Sequence, residues 1–139
     1  MIDVSMLAIL LITIFFGVVL IGGIGRFNRQ RIGLDRQYFA KQWKVIQGYK
    51  NSGGPGWQLA VMEADKLLDK ALTERHFAGE TMGERLKSAK GSFMKNDAVW
   101  QAHKLRNRLA HEQDVKLNIV VVEQALRAFK NGLKDLGAL

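Results

Sequence analysis

The stretch Ala102–Glu112, AHKLRNRLAHE, shows most directly how this 139-residue chain is built. At about 100° per residue on an α-helix, its apolar residues extend a stripe about 60° wide. The stripe consists of Ala98, Ala102, Leu105 and Leu109. The other side is polar, since His103, Asn107 and His111 follow each other at i, i+4 and i+8. This pattern predicts an amphipathic helix whose histidines face away from the core.

The same helical spacing continues along the chain from residue 35 to its end. Capping residues mark where most of these helices begin, and the loop at residues 51–56 contains the only proline. The predicted helices are Asp35 to about Tyr49, Trp57 to about Arg75, a short helix after the capping box Thr81–Glu84, Asn96 or Asp97 to about Glu112, and Asn118 to about Leu136. We therefore expect residues 35–139 to form an all-α, antiparallel bundle of four to five helices.

The N-terminal segment Met6–Ile24 has a different composition. It contains no charged residue, and Thr13 is its only polar side chain. Its 19 residues would span about 28 Å as a helix, close to the roughly 30 Å hydrocarbon core of a bilayer. A cleaved signal peptide is the alternative, but no basic residue precedes the run and no Ala-x-Ala-like site follows it. We expect residues 1–25 to form a transmembrane anchor.

The net charge of +8 is concentrated directly after this segment. Residues 26–50 carry seven basic residues and one acidic residue, whereas Asp3 is the only charged residue before the segment. Basic residues favour the cytoplasmic side, so we expect an inner or plasma membrane protein with its N-terminus outside and residues 35–139 in the cytoplasm. The absence of cysteine agrees with a reducing compartment and excludes zinc-thiolate sites and thiol nucleophiles.

The basic juxtamembrane segment, residues 26–34, and the start of the next helix have two interpretations. Their arginines can contact anionic lipid headgroups, at about 1 kcal/mol for each residue near the surface. The same charges would attract RNA. These candidate contact residues are Arg26, Arg29, Arg31 and Arg36. A lipid-surface or assembly protein is therefore one open alternative for the function.

The hexapeptide Arg106–His111, RNRLAH, resembles the signature of the HEPN superfamily, in which a polar residue follows an arginine and a histidine comes a few positions later. The surrounding LRNRLAHE is similar to what many bacterial members show. The direct resemblance covers about a tenth of the chain. It implies a HEPN-like bundle and RNA cleavage without a metal or cofactor. It also implies a homodimer, because the site in this superfamily is often completed by a second copy.

The resemblance assigns roles to three residues of this chain. His111 would be the general base or acid on the ribose 2′-hydroxyl or the leaving 5′-oxygen, since histidine exchanges protons near neutral pH. Arg106 would stabilise the pentacovalent phosphorane through its planar fork of donors, and Asn107 would orient one of the two. Arg106 and His111 lie about 140° apart on an ideal helix. A joint site therefore requires a helix end, a distortion or a second protomer.

The same residues also allow a non-catalytic interpretation. Asn107 and His111 can bond each other at i, i+4, while Arg106 pairs with a carboxylate. The chain would then be an RNA-binding module or a membrane-tethered interaction or dimerisation module. His103 is a bystander or a supporting residue behind the site in either case. Trp100 shares the open face with Asn107, and we expect it to stack on a base, to be buried in a dimer interface or to pack within the chain.

The remaining candidates for chemistry are two carboxylates on the second predicted helix. Asp65 and Asp69 share a face at i, i+4, which would suit a divalent cation. Lys66 and Lys70 are interleaved with them, and this alternation is typical of a solvated helix surface. We therefore expect no metal site.

Overall fold

The computed structural model describes the backbone of residues 3–29 and 33–139, and the side chains of residues 3–19 and 33–139. The described residues contain six α-helices, one short 3₁₀-helix and no strand, which confirms the all-α class. The chain divides into two units, Met1–Ile32 and Gly33–Leu139. The candidate functional residues of the bundle all lie in the second unit.

The described residues of the first unit form one helix, α1, at Val4–Arg29. Its described apolar side chains are exposed, and the Thr13 hydroxyl donates to the Leu10 carbonyl at 2.8 Å within the helix. Within the described part of the chain, no helix combines the length and the apolar character needed to cross a membrane. The predicted span also includes residues 20–24, whose side chains lie outside the described set.

The predicted basic segment falls mostly outside the described residues. Arg31 lies entirely outside the described residues, and so do the side chains of Arg26 and Arg29. Arg36 is described, and it is the exposed first residue of the next helix.

The second unit begins with a hairpin of two helices, α2 at Arg36–Asn51 and α3 at Gly54–Glu74. The Asp35 carboxylate accepts from the Tyr38 amide at 3.0 Å, as its capping role predicted. Helix α3 starts earlier than predicted, because proline is favourable in the first helical turn and Pro55 does not break the helix. A side chain at Gly56 would collide with the Tyr49 carbonyl, so glycine permits this tight turn.

Helix α4 is short, at Met82–Ser88, and a 3₁₀ turn follows at Lys90–Ser92. The predicted capping box is present: Thr81 accepts from the Glu84 amide, and Glu84 accepts from the Thr81 amide. The backbone amides of Glu80 and Thr81 both donate hydrogen bonds to the Glu84 carboxylate, and these bonds lower the pKa of that carboxyl below its ordinary value.

Two longer helices complete the bundle, α5 at Asn96–His111 and α6 at Ile119–Asp135. Helix α6 begins near Asn118 as predicted, and Asn118 caps it by accepting from the Val121 amide at 3.0 Å. The predicted cap of α5 was wrong, because Lys95 holds that position and makes no side-chain cap bond. The Met94 amide donates to Asp135 at 3.0 Å, which places the start of α5 beside the end of α6. The two helices are therefore antiparallel.

Helix α3 lies at the centre, in contact with α2, α4, α5 and α6. The largest fully buried side chains come from α2, α3, α4 and α6, and each contributes about 1.5–3 kcal/mol through its removal from water. They are Phe39, Val61, Leu68, Leu72, Leu86, Val122, Phe129 and Leu133.

The packed face of α5 is rotated relative to the predicted stripe. Ala102 and Leu109 are buried as expected, whereas Ala98 and Leu105 are only half-buried. The buried set instead extends to Val99 and to His103, about 100° and 140° around the helix from Ala98. The reason is tertiary, since α5 packs against α3 as well as against α6.

Candidate functional site

Asp65 of α3 and His103 of α5 form a buried pair in the interior of the bundle. The two residues are 3% and 7% exposed, and His103 Nδ1 lies 2.8 Å from Asp65 Oδ1. Both sequence-based expectations for these residues were wrong, because His103 does not face solvent and Asp65 is not on a solvated surface. Burial of two such groups is costly unless each is hydrogen-bonded, and this pair meets that condition.

Asn107 and Arg106 complete a ring of four polar side chains, which we call the Asp65 ring. Asn107 Nδ2 lies 3.2 Å from His103 Nε2, and Arg106 Nη1 donates to Asn107 Oδ1 at 3.2 Å. Arg106 Nε lies 3.4 Å from Asp65 Oδ2, as an ion pair without hydrogen-bond geometry. The side chains thus contact each other in the order Asp65, His103, Asn107, Arg106 and back to Asp65.

One set of donor and acceptor roles satisfies the three hydrogen bonds of the ring. Arg106 can only donate, so Asn107 Oδ1 accepts and the amide nitrogen of Asn107 donates to His103 Nε2. Nε2 then carries no proton, and the proton on Nδ1 is donated to Asp65. Asp65 therefore determines the orientation of the imidazole, and the imidazole determines the orientation of the Asn107 amide.

The ring lines a cleft of about 490 Å³ between α3, α4 and α5. Arg85 and Asp69 form its opposite part as a two-point ion pair, with nitrogen to oxygen distances of 2.7 and 2.8 Å. The hydrogen bonds from Arg85 to Asp69 raise the pKa of that guanidinium above its ordinary value.

The formal charges in this cleft balance. Its lining includes three cationic and three carboxylate side chains, so it is not the strongly basic surface that usually surrounds nucleic-acid sites. They are Lys66, Arg85 and Arg106, and Asp65, Asp69 and Glu80. Arg106 is the guanidinium of the predicted site, and 27% of its side chain is exposed.

Trp100 is half-buried beside the ring. Its indole meets the His103 imidazole edge to face, with ring centres 5.9 Å apart and an angle of 77° between the planes. Gly83 of α4 lies opposite, since a Cβ there would be 3.9 Å from both Trp100 Cη2 and His103 Nε2. Packing within the chain thus accounts for part of the burial of the Trp100 indole. The burial of Trp100 in a dimer interface stays a prediction.

His111 lies apart from the ring. It is the exposed last residue of α5, and the helix continues to it from Asn96. Regular α-helix geometry keeps the angle between Arg106 and His111 near 140°. Among the described residues, no hydrogen bond or ion pair joins these two side chains, and the amide of Asn107 bonds His103 at the position where His111 was expected. One protomer therefore brings Arg106 and Asn107 together without His111.

The sequence contains a signal for the ring that the wider pattern hides. On a helical wheel of α3, Asp65 falls about 20° beyond Leu72, at the border of the apolar face. A carboxylate at such a border can meet the neighbouring helix. His103 gives no matching signal, because it lies about 100° beyond Ala102 of the predicted α5 stripe, and only the buried face that includes Val99 reaches it. In the described part of the chain, no group of three or more His, Asp or Glu residues is arranged to hold a metal ion.

No protein-family model, curated protein or solved structure matches the chain.

Proposed function

We propose that the protein is a membrane-anchored, HEPN-like helical bundle that acts on RNA as a metal-independent endoribonuclease. The observation that carries this proposal is the Asp65 ring, which holds Arg106 and Asn107 at the edge of a cleft. Buried ion pairs rarely stabilise a fold more than apolar residues of similar size. A buried Asp–His pair is better explained by the orientation that it imposes on the residues bonded to it.

Arg106 has donors in excess of those that the ring uses. A guanidinium carries five N–H groups, and the contacts to Asp65 and Asn107 involve Nε and Nη1. The exposed part of the side chain adjoins the cleft, where a phosphate oxygen can accept from it. An arginine with a fixed orientation stabilises developing phosphorane charge without further reorganisation.

His111 would come from a second protomer. Because it is exposed at the end of α5, it can reach a neighbouring chain more readily than the Arg106 of its own helix. A two-fold homodimer would place each His111 beside the partner's cleft and generate two equivalent sites. His111 would remove the proton from the 2′-hydroxyl, whose oxygen attacks phosphorus. The bond between phosphorus and the 5′-oxygen would break, and the 5′-oxygen would take a proton from water, giving a cyclic phosphate and a 5′-hydroxyl.

Membrane anchoring is the second part of the proposal. The exposed side chains of α1 up to Val19 are almost entirely apolar, and exposed apolar surface of this extent favours lipid over water. The basic residues that follow would contact anionic headgroups and keep the bundle on the cytoplasmic side.

A non-catalytic dimerisation module is the second candidate function. The observation that favours it is that Arg106 is already paired with Asp65, in a cleft whose charges balance. In that case the ring would position α3 and α5 and would not contact phosphate.

Cleavage of mixed RNA by the purified full chain, in neutral detergent with EDTA, tests the two candidates. We expect Arg106→Ala and His111→Ala to abolish cleavage. Two matched controls should retain it: Arg108→Ala, an exposed arginine on the same helix, and His76→Asn, which keeps a residue that tolerates the positive φ of 60° there. Equal cleavage by all variants would exclude Arg106 and His111 as the site of cleavage. No cleavage by the unmodified dimer would exclude the proposed ribonuclease activity.

A mixing experiment tests the shared site. Arg106→Ala and His111→Ala chains are inactive alone, but each supplies what the other lacks. Random exchange would form one intact site in half of the dimers, so the mixture should recover about one quarter of the original activity. No recovery from chains that demonstrably exchange would show that the site is not shared.

A further inference from the structure

A groove runs between α5 and α6 on the side of α5 that faces away from the Asp65 ring. It has a volume of about 580 Å³ and runs from Lys95, directly before α5, to Arg108 on α5, and from Val121 to Asn131 on α6. The α6 side covers about three helical turns, or roughly 15 Å. None of the predicted RNA-site residues lines it.

The floor of this groove consists of residues that the sequence pattern places in a core. Ala98, Ala102 and Leu105 of α5 line it together with Val121 and Ala125 of α6. Ala98, Leu105 and Val121 are only half-buried, although their helical spacing is that of a packed stripe. The apolar stripe of α5 is therefore only partly covered by its own chain.

The rim of the groove carries an excess of basic residues. The charged side chains in its lining are all cationic and exposed, and the lining described for it contains no carboxylate. These cations are Lys95, Lys104, Arg108 and Arg127. At one end of the groove the exposed Glu112 carboxylate pairs with Arg108 at 3.4 Å. The rim thus keeps an excess of positive charge above an apolar floor.

These features distinguish among partners. A second copy docked on the same groove by two-fold symmetry would bring like charges together, which is unfavourable. Single-stranded RNA uses aromatic rings as stacking platforms, and the described lining of the groove has none. Alanines on the floor permit the close approach of another helix, and the length matches about three turns of one.

We propose that the α5–α6 groove binds an acidic amphipathic helix of a partner protein. Small apolar residues of that helix would cover the Ala98–Leu105 stripe, and its carboxylates would pair with the basic rim. The partner helix and the RNA proposed above would occupy opposite sides of α5.

The probe is a fluorescein-labelled peptide of about 18 residues, long enough for a stable three-turn contact, with Ala and Leu on one face and Glu elsewhere. Binding to the full chain in neutral detergent is followed by anisotropy. A peptide with Lys in place of Glu is its matched control. We expect the acidic peptide to bind and the basic peptide not to bind.

Charge reversal in the groove provides the decisive comparison. Lys104→Glu with Arg127→Glu should raise the Kd of the acidic peptide roughly tenfold or more and should permit binding of the basic peptide. Lys41→Glu with Lys44→Glu makes the same change in net charge on the exposed face of α2 and should change neither. Equal weakening by both pairs would show that only overall charge matters and would overturn the proposal.

Two further measurements test whether RNA, lipid or a second copy of the chain binds the groove instead of a partner helix. Oligouridine or detergent micelles containing phosphatidylserine would assign the groove to RNA or lipid if they displace the acidic peptide from the unmodified chain and bind the groove variant more weakly than the control pair. A chain whose dimerisation alone is lost on reversal of the groove charges would assign it to self-association. Either result would overturn the proposal, and circular dichroism confirms that the variants are folded.

Discussion

The Asp65 ring makes a prediction that separates stability from function. Asp65→Ala removes the acceptor of His103 Nδ1 and the ion-pair partner of Arg106 Nε, and both of those groups remain in the protein. Removal of one member of a buried, hydrogen-bonded pair costs about 3–5 kcal/mol, because the other member loses its compensation. A domain of this size has about 5–15 kcal/mol of stability, so the variant should fold but unfold at much lower denaturant concentration.

Replacement of both partners should behave differently. Asp65→Leu with His103→Leu removes both members of the buried pair and fills similar space with apolar atoms. Only Arg106 Nε and the Asn107 amide then lose a partner, so the stability should return to within about 1–2 kcal/mol of the unmodified chain. Arg106 and Asn107 would still lose the contacts that orient them. The double variant should therefore be stable and inactive on RNA.

Urea unfolding followed by tryptophan emission measures both effects. All three tryptophans lie in the bundle, at positions 43, 57 and 100, so the signal reports on that unit and not on α1. A double-mutant cycle built from Asp65→Leu, His103→Leu and the double variant requires a coupling energy of at least about 2 kcal/mol between positions 65 and 103. A single-variant cost below about 1 kcal/mol, as for a surface carboxylate, would refute the buried pair.

Three further predictions concern other parts of the bundle. Gly79→Ala should lower the melting temperature at a cost of about 1–3 kcal/mol, since this glycine has a φ of 143° and a Cβ would lie 2.6 Å from that of Glu84. Hydrogen bonds from the amides of Glu80 and Thr81 lower the pKa of the Glu84 carboxyl in the folded state. The Glu84 carboxylate therefore contributes its full stabilisation at a pH above its ordinary pKa of 4.5, and this contribution is lost as the pH falls through the lower pKa of the folded state. Glu84→Gln should flatten that part of the curve of stability against pH. Asn118→Ala should cost about 1 kcal/mol in urea unfolding through loss of the α6 cap, and an unchanged midpoint would contradict that role.

Local chemistry explains which parts of the fold were predictable. Asp35, Thr81 and Asn118 cap helices through amides three residues away, so their roles can be inferred from a few neighbouring letters. The start of α3 was misplaced because a proline in the first turn and a proline in a loop have the same local sequence.

The candidate site was less predictable because it depends on rotation between helices. Periodicity finds the centre of an apolar face, but the edges of that face are set by where the neighbouring helices lie. Asp65 and His103 both occur at such edges and meet across α3 and α5, 38 positions apart in sequence. The motif was enough to select Arg106 and Asn107 as candidate site residues, whereas their contacts with Asp65 and His103 could be identified only from the tertiary structure.

Helix α5 explains why the two proposed activities are physically separate. Arg106 and Arg108 are two positions apart, which turns them about 160° away from each other around the helix axis. Arg106 contacts Asp65 and lines the cleft beside α4, while Arg108 lines the groove beside α6. A helix that carries a buried polar ring on one side and a half-covered apolar stripe on the other therefore meets two different environments. Loss of one arginine should remove one interaction and leave the other, so the RNA site and the helix-binding groove can each fail without the other.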